Sequence, residues 1–187
     1  MDIKELEGYI KEDEIKRALR YAFKCLYKYD KELICPSDSF GDSDKKNNES
    51  GKGQHGSERS VVFRFGYYFQ FYLNKRGLFK DYNVDCEYNR NNGDLKRTNS
   101  KPNGTMPDII LHKRGSNSYN LLVIEFKGSW NKNITGVEND RKKLKDYTDL
   151  SGKKERNDYR FKYGLEVFLE KEKPRIELYQ EGRLIKG

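Results

Sequence analysis

Three charged residues near the middle of the chain have types and a spacing that could support hydrolytic chemistry. Asp108 opens one short apolar segment, and Glu125 and Lys127 close the next one, with Phe126 between them. Side chains two positions apart on a strand point to the same face, so Glu125 and Lys127 project together. If the two segments form an antiparallel hairpin, pairing 108 with 125 centres the turn near residue 116, inside a polar stretch. That hairpin would bring Asp108 to the other two side chains.

This arrangement could hold a divalent cation. Adjacent carboxylates repel unless a cation joins them, and Mg²⁺ takes one or two carboxylates together with waters and phosphate oxygens. The ion would lower the pKa of a bound water and stabilise charge on a phosphodiester, while Lys127 would orient that water or neutralise the phosphate. Glu58 is a fourth candidate, binding the ion directly or through water. The alternative is structural: Asp108 caps a strand, and Glu125 and Lys127 form a salt bridge at the strand's rim.

Other basic residues are candidates for contacts with phosphate, and each has a structural alternative. Arg64 could anchor a phosphate, or it could pair with Glu58 or another acid. His112 and Arg114 could contact phosphate, and His112 could act as a base. The alternative favoured for this pair is a solvated approach to a turn.

The composition excludes several classes of protein. The 187 residues are 36% charged and 34% hydrophobic, with a net charge of +8. An aromatic content of 13% argues against a disordered chain. The positive charge favours an anionic partner such as nucleic acid. Three cysteines without close spacing argue against a disulfide scaffold or a cysteine-rich zinc site.

The same sequence gives no sign of a membrane segment. No stretch approaches the roughly 20 apolar residues of a membrane helix, and the N-terminus lacks the apolar core of a signal peptide. We therefore expect a cytoplasmic protein without membrane association.

The elements that would position these residues follow from hydrophobic periodicity. Residues 13–30 have the i, i+3, i+4 spacing of an amphipathic helix. Residues 58–74 fit both an alternating strand and a helical face, but 17 residues is long for a strand, and Ser57 before Glu58 is a plausible helix start. The other elements are strands over 83–89, 107–113 and 120–127, a helix over 135–149, and strands over 160–169 and 174–179. This order predicts an α/β fold with a mixed sheet and helices packed against it.

The motif and its setting resemble the PD-(D/E)XK nuclease superfamily, which includes many restriction and repair endonucleases. Pro107-Asp108 is followed, after 16 residues, by Glu125-Phe126-Lys127, and the resemblance covers residues 57–170. It implies a restriction endonuclease-like αβββαβ core with a mixed central sheet flanked by helices. An N-terminal helix and a C-terminal hairpin strand would be added to that core.

The resemblance also implies roles for particular residues. Asp108 and Glu125 would bind one or two Mg²⁺ or Mn²⁺ ions, and Phe126 would offer its backbone carbonyl. Lys127 would serve the attacking water, and a glutamate of the first helix often joins such a site, which here would be Glu58. The helix after the motif flanks the cleft in that family, so Lys143 would touch phosphate; a charged helix face is otherwise usually only solvated.

The expected function is a metal-dependent phosphodiester hydrolase acting on nucleic acid, a DNA endonuclease in the first interpretation and an RNA-cleaving enzyme in the second. The alternative is a catalytically inactive nucleic-acid-binding or adaptor protein with the same fold, and a third hypothesis is a protein-interaction module. Dimerisation is common in restriction-like enzymes, so a homodimer stays open. The expected organisation is one domain over 1–187, divided into a helical arm at 1–35, a polar mobile loop at 36–57, the core at 57–170 and a C-terminal strand at 171–187.

Overall fold

The chain forms a mixed α/β structure around one central sheet. The computed structural model describes residues 1–6, 8–35, 57–91, 94–131, 133–151 and 159–187. Five helices occur within these residues: α1 (Ile3–Leu6), α2 (Asp13–Tyr29), α3 (Lys31–Ile34), α4 (Glu58–Lys75) and α5 (Ile134–Thr148). The strands in the same residues are β1 (Asn83–Cys86), β2 (Arg90–Asn91), β3 (Asp94–Leu95), β4 (Ile109–His112), β5 (Leu122–Gly128), β6 (Tyr163–Leu169), β7 (Arg175–Gln180) and β8 (Arg183–Lys186). The predicted mobile loop, apart from Ser57, lies outside the described residues.

The central sheet has six strands in the order β1-β4-β5-β6-β7-β8. Only the β5–β6 pair is parallel; its neighbours are antiparallel. A parallel pair needs a crossover connection, and α5 lies in the chain between these two strands. The prediction of a mixed sheet with packed helices is confirmed.

The middle of the sheet is buried on both faces. Leu122, Ile124 and Phe126 of β5 belong to the larger core with α2 and α4. Val123 belongs to a smaller cluster on the opposite face, with Leu144 of α5. Burial on both faces explains why β5 has an almost continuous apolar sequence. We call the face covered by α5 the site face.

Helix α4 resolves the ambiguous segment after Ser57. Val61, Phe65 and other inward side chains are buried. Phe63, Tyr67 and Phe71 are exposed on the outer side of the helix. A two-residue period would place all these aromatic residues on one face. The 3.6-residue period of the helix instead places some of them inward and the others outward, as the structure shows.

Residues 1–35 are not an arm, and this expectation is corrected. The inward side chains of α2 are fully buried, among them Ile15, Ala18 and Leu19. The rings of Phe23 and Phe65 lie 4.7 Å apart between centroids, joining α2 to α4. The first helices are therefore part of the main core.

The structure also contains short elements that the periodicity did not indicate. β2 and β3 pair between residues 90 and 95, and β8 adds an edge strand after β7 within the predicted C-terminal strand region 171–187. β2 and β3 have only two residues each, which is too short to give a hydrophobic period and explains why they were missed.

Substituting Gly128 at the end of β5 tests how closely this region is packed. The indole ring of Trp130 lies over Gly128, so a Cβ at that position would overlap with the ring. We expect Gly128→Ala to cost about 1–3 kcal/mol because the ring must move, which lowers the melting temperature by about 2–4 °C per kcal/mol. Trp130 is the only tryptophan, so its fluorescence emission should shift to the red. In a Trp130→Ala background the same substitution should cost clearly less; an equal cost would contradict the contact.

Candidate active site

The β4–β5 hairpin brings Asp108 and Glu125 together. Ile109 lies opposite Ile124, and the same register continues along both strands. One step beyond that pair, Asp108 is opposite Glu125, as the sequence predicted. The backbone N–H of Phe126 donates a 2.6 Å hydrogen bond to Asp108 Oδ2. The aspartate is therefore fixed against the end of β5.

Glu125 and Lys127 lie on the site face, and each is paired with α5 rather than with the other. Lys127 Nζ lies 2.6 Å from Asp140 Oδ2. Lys143 Nζ lies 2.7 Å from Asp140 Oδ1 and 2.9 Å from Glu125 Oε2. We call these four residues the charge chain: Lys127, Asp140, Lys143 and Glu125. The simple rim salt bridge between Glu125 and Lys127 is thus not the arrangement found.

Burial dominates the electrostatics of the carboxyl groups. It raises the pKa of Asp108 to about 6, even though the Phe126 N–H and nearby lysines oppose the shift. Burial, together with the charge of Asp108, also raises the pKa of Glu125 well above its ordinary value. For Lys127 and Lys143, the neighbouring carboxylates outweigh burial and raise the pKa. The site therefore disfavours ionised carboxylates at Asp108 and Glu125 and keeps Lys127 and Lys143 protonated.

The two carboxylates fit a hard divalent cation. Glu125 is 2% exposed, and its Oε1 has no hydrogen-bond partner among the described residues. A buried, unpartnered carboxylate oxygen is costly, and a cation would satisfy it. Within the described part of the chain, no three His, Cys, Asp or Glu side chains group as metal ligands. The chain would thus supply Asp108, Glu125 and the Phe126 carbonyl, and Mg²⁺ commonly completes such a set with waters and phosphate oxygens.

Glu58 lies at the border of the site, as the first residue of α4. Its Oε1 accepts hydrogen bonds from Gly128 N at 2.9 Å and Asn131 Nδ2 at 3.2 Å. These bonds tie the start of α4 to the end of β5. Glu58 thereby positions the segment after Lys127, and its direct binding of metal stays a prediction.

Asp140 is the site residue that sequence reasoning missed. It stood in a run of charged residues on a predicted helix, which is usually a solvated face. In the structure Asp140 is 6% exposed and contacts both lysines of the charge chain. The i, i+3 spacing of Asp140 and Lys143 was the available signal, but it did not reveal that this face points inward.

Three predicted phosphate contacts lie away from the site. Arg64 donates to Asp30 at 2.8 Å, which is the structural pairing weighed as its alternative. His112 and Arg114 both pair with Asp85, and His112 is at the opposite end of β4 from Asp108. His112 is buried, so its favoured placement at a solvated turn is wrong. Of the four basic candidates, the structure brings only Lys143 to the carboxylates.

A row of carboxylates continues across the site face. Glu125 is opposite Glu166 on β6, which is opposite Glu177 on β7. Arg141 of α5 donates to both, at 3.1 Å to Glu166 and 2.7 Å to Glu177. Burial, reinforced by Glu177, raises the pKa of the fully buried Glu166 to about 7. Single acidic residues inside apolar strands were the overlooked signal.

Comparisons with known proteins add no assignment. No family model, curated protein or solved structure matches the chain. The described helices also include none with the length and apolar character needed to cross a membrane. The argument for a function therefore depends on the geometry of the site.

Replacing Asp108 should stabilise the protein in the absence of metal. Its pKa is raised above the ordinary value of 3.8 to about 6. The folded protein therefore favours the protonated carboxyl group, and the stability that this form provides is lost as the pH rises through about 6. Asn cannot ionise and still accepts from Phe126 N. In EDTA, we expect Asp108→Asn to exceed the wild type by about 1–3 kcal/mol at pH 8, with a smaller gain at pH 5. Thermal denaturation measures this, with the exposed Asp94→Asn as control; a loss of stability at both pH values would contradict it.

The Glu166–Glu177 pair should show opposite effects of the two amide substitutions. The pKa of Glu166 is raised from 4.5 to about 7, so wild-type stability falls as the pH rises through 7. We expect Glu166→Gln to raise the melting temperature at pH 8 and leave it nearly unchanged at pH 5. Although burial alone would raise the pKa of Glu177, Arg141 lowers it overall. Glu177→Gln should therefore destabilise at pH 8, and two changes of the same sign would refute this view of the pair.

Proposed function

We propose that the protein is a metal-dependent phosphodiester hydrolase of nucleic acid, acting on DNA as an endonuclease. The observation that carries this proposal is the hairpin register, which sets Asp108 beside Glu125. Lys127 shares the face of Glu125, and the unpartnered Glu125 Oε1 supports a cation at this position. These are the residues that the resemblance to PD-(D/E)XK nucleases assigns to metal binding and hydrolysis.

The order of elements supports a restriction endonuclease-like fold. Helix α4, strands β1, β4 and β5, helix α5 and strand β6 follow one another, apart from the small β2–β3 hairpin. This is the αβββαβ order expected from the resemblance. The antiparallel β4–β5 pair and the parallel β5–β6 pair agree with its mixed sheet.

In this proposal Asp108, Glu125 and the Phe126 carbonyl hold Mg²⁺ or Mn²⁺. The bound ion supplies a water of lowered pKa and positive charge near the scissile phosphate. Lys127 is ion-paired with Asp140, and this neighbouring carboxylate raises the lysine's pKa despite its burial. A lysine that keeps its proton cannot act as a general base, so Lys127 orients the water by donating to it or stabilises charge on the phosphate.

Lys143 is the basic residue best placed to meet a phosphate, because it already lies among the site carboxylates. The chain's net charge of +8 is compatible with an anionic polymer. A homodimer and cleavage of RNA stay open, and each is a property that the assay below measures.

One observation favours the catalytically inactive alternative. The ammonium of Lys143 already neutralises Glu125, as it would in a nuclease fold that has exchanged its metal for a lysine. Such a protein would bind nucleic acid with an affinity that falls with salt, but it would not cleave under any metal.

The assay incubates the purified protein with supercoiled plasmid, linear duplex, single-stranded DNA and RNA, each with Mg²⁺, Mn²⁺ or EDTA. We expect metal-dependent cleavage of DNA, reduced by about 10²–10³-fold in Glu125→Gln and Lys127→Met, because each removes a group that holds or stabilises charge in the transition state. Lys145→Met, on the exposed side of α5, is the matched lysine control and should retain activity.

The outcomes separate the hypotheses. Binding without cleavage by a folded wild type would favour the inactive adaptor. Cleavage that survives both site substitutions would show that these residues do not form the active site. Gel filtration of the same samples reports the oligomeric state.

A further inference from the structure

Lys143 contacts the carboxylate of Glu125, which is one of the proposed metal ligands. Its Nζ lies 2.9 Å from Glu125 Oε2, and the side chain is only 12% exposed. The other oxygen of the same carboxylate is buried without a partner. One oxygen of Glu125 is therefore paired with an internal cation, and the other oxygen has no partner among the described residues.

We propose that Lys143 is an exchangeable counter-ion, which neutralises Glu125 in the metal-free protein and yields this carboxylate to the divalent cation. The inference rests on the proposed function, since it concerns the same metal site. It assigns Lys143 two positions, one on Glu125 without metal and one displaced from Glu125 with metal.

Asp140 makes this exchange feasible without exposing an unpaired ammonium to the protein interior. Lys143 Nζ is also bound to Asp140 Oδ1 at 2.7 Å, on the same helix. When Lys143 leaves Glu125, this second contact keeps the ammonium paired and close to the site. Lys127 is held separately by the other oxygen, Asp140 Oδ2, so it need not move.

The formal charges of the site support the same exchange. The carboxylates Asp108, Glu125 and Asp140 outnumber the ammonium groups of Lys127 and Lys143, and Glu58 at the border adds a further carboxylate near Lys127. A divalent cation would remove this excess of negative charge. The metal-bound site would thus repel a phosphodiester group less than the metal-free site does.

The first test measures the affinity for MnCl₂ by calorimetry, with melting temperature as a second readout. If Lys143 competes with the metal, Lys143→Met should bind Mn²⁺ about tenfold or more tightly, since a charge-assisted contact no longer has to be broken. Lys142→Met removes the same charge from the exposed neighbouring position. It should change the affinity by no more than about twofold, because solvent and salt screen an exposed charge.

The second test uses the unchanged chain and does not depend on a variant's folding. Limited acetylation of lysine amines, read by mass spectrometry of peptides, should label Lys143 slowly in EDTA and faster in MnCl₂, because one carboxylate rather than two then holds the amine. Lys142 should be labelled equally in both conditions.

The results distinguish this inference from the function on which it rests. Tighter Mn²⁺ binding by Lys143→Met and metal-induced labelling of Lys143 would support the exchange. Equal affinities with unchanged labelling would overturn it and leave the metal site standing. Absence of Mn²⁺ binding by the wild type and by both variants would reject the metal site and the exchange together.

Discussion

The carboxylate of Glu125 is buried in the apolar centre of the sheet, and the surrounding structure must compensate for its lost hydration. A buried charge is tolerated only when nearby groups compensate for the lost water. Helix α5 supplies that compensation, because it crosses the site face as the connection between β5 and β6. Lys143 neutralises Glu125, and Arg141 serves Glu166 and Glu177 in the same way. One turn of one helix therefore supplies two cations to a row of three acids.

The same helix joins the site to the core. Leu144 and Tyr147 pack with Val123 at the apolar end of the site face, while Asp140 and Lys143 cover its charged end. A change that shifts α5 in the apolar cluster would also move the charged groups over Glu125. Stability and the geometry of the candidate site are thus coupled through α5. The ionised carboxylates themselves oppose stability, because burial raises the pKa of Asp108 and Glu125.

The sequence predicted those parts of the fold and site that depend on local pattern. The β4–β5 register followed from the polar turn and the positions of Asp108 and Glu125, because two strands joined by a short turn pair symmetrically about it. The inward direction of Asp140 did not follow, since a charged run on a helix carries no information about what the helix covers. Glu166 was overlooked for a related reason: its partner Glu177 and their shared Arg141 come together only in the folded sheet.

The turn that joins β4 to β5 lies at the opposite end of the hairpin from the acidic pair. The strands determine which residues face each other, and the turn residues 114–119 connect them, with Arg114 also pairing with Asp85. Exchanging or lengthening this turn leaves the pairing of Asp108 with Glu125 intact, whereas deleting one residue inside β5 would move every later side chain to the other face. The turn is therefore the natural place to insert a label or a tethered domain, and length variation in this hairpin should be confined to it.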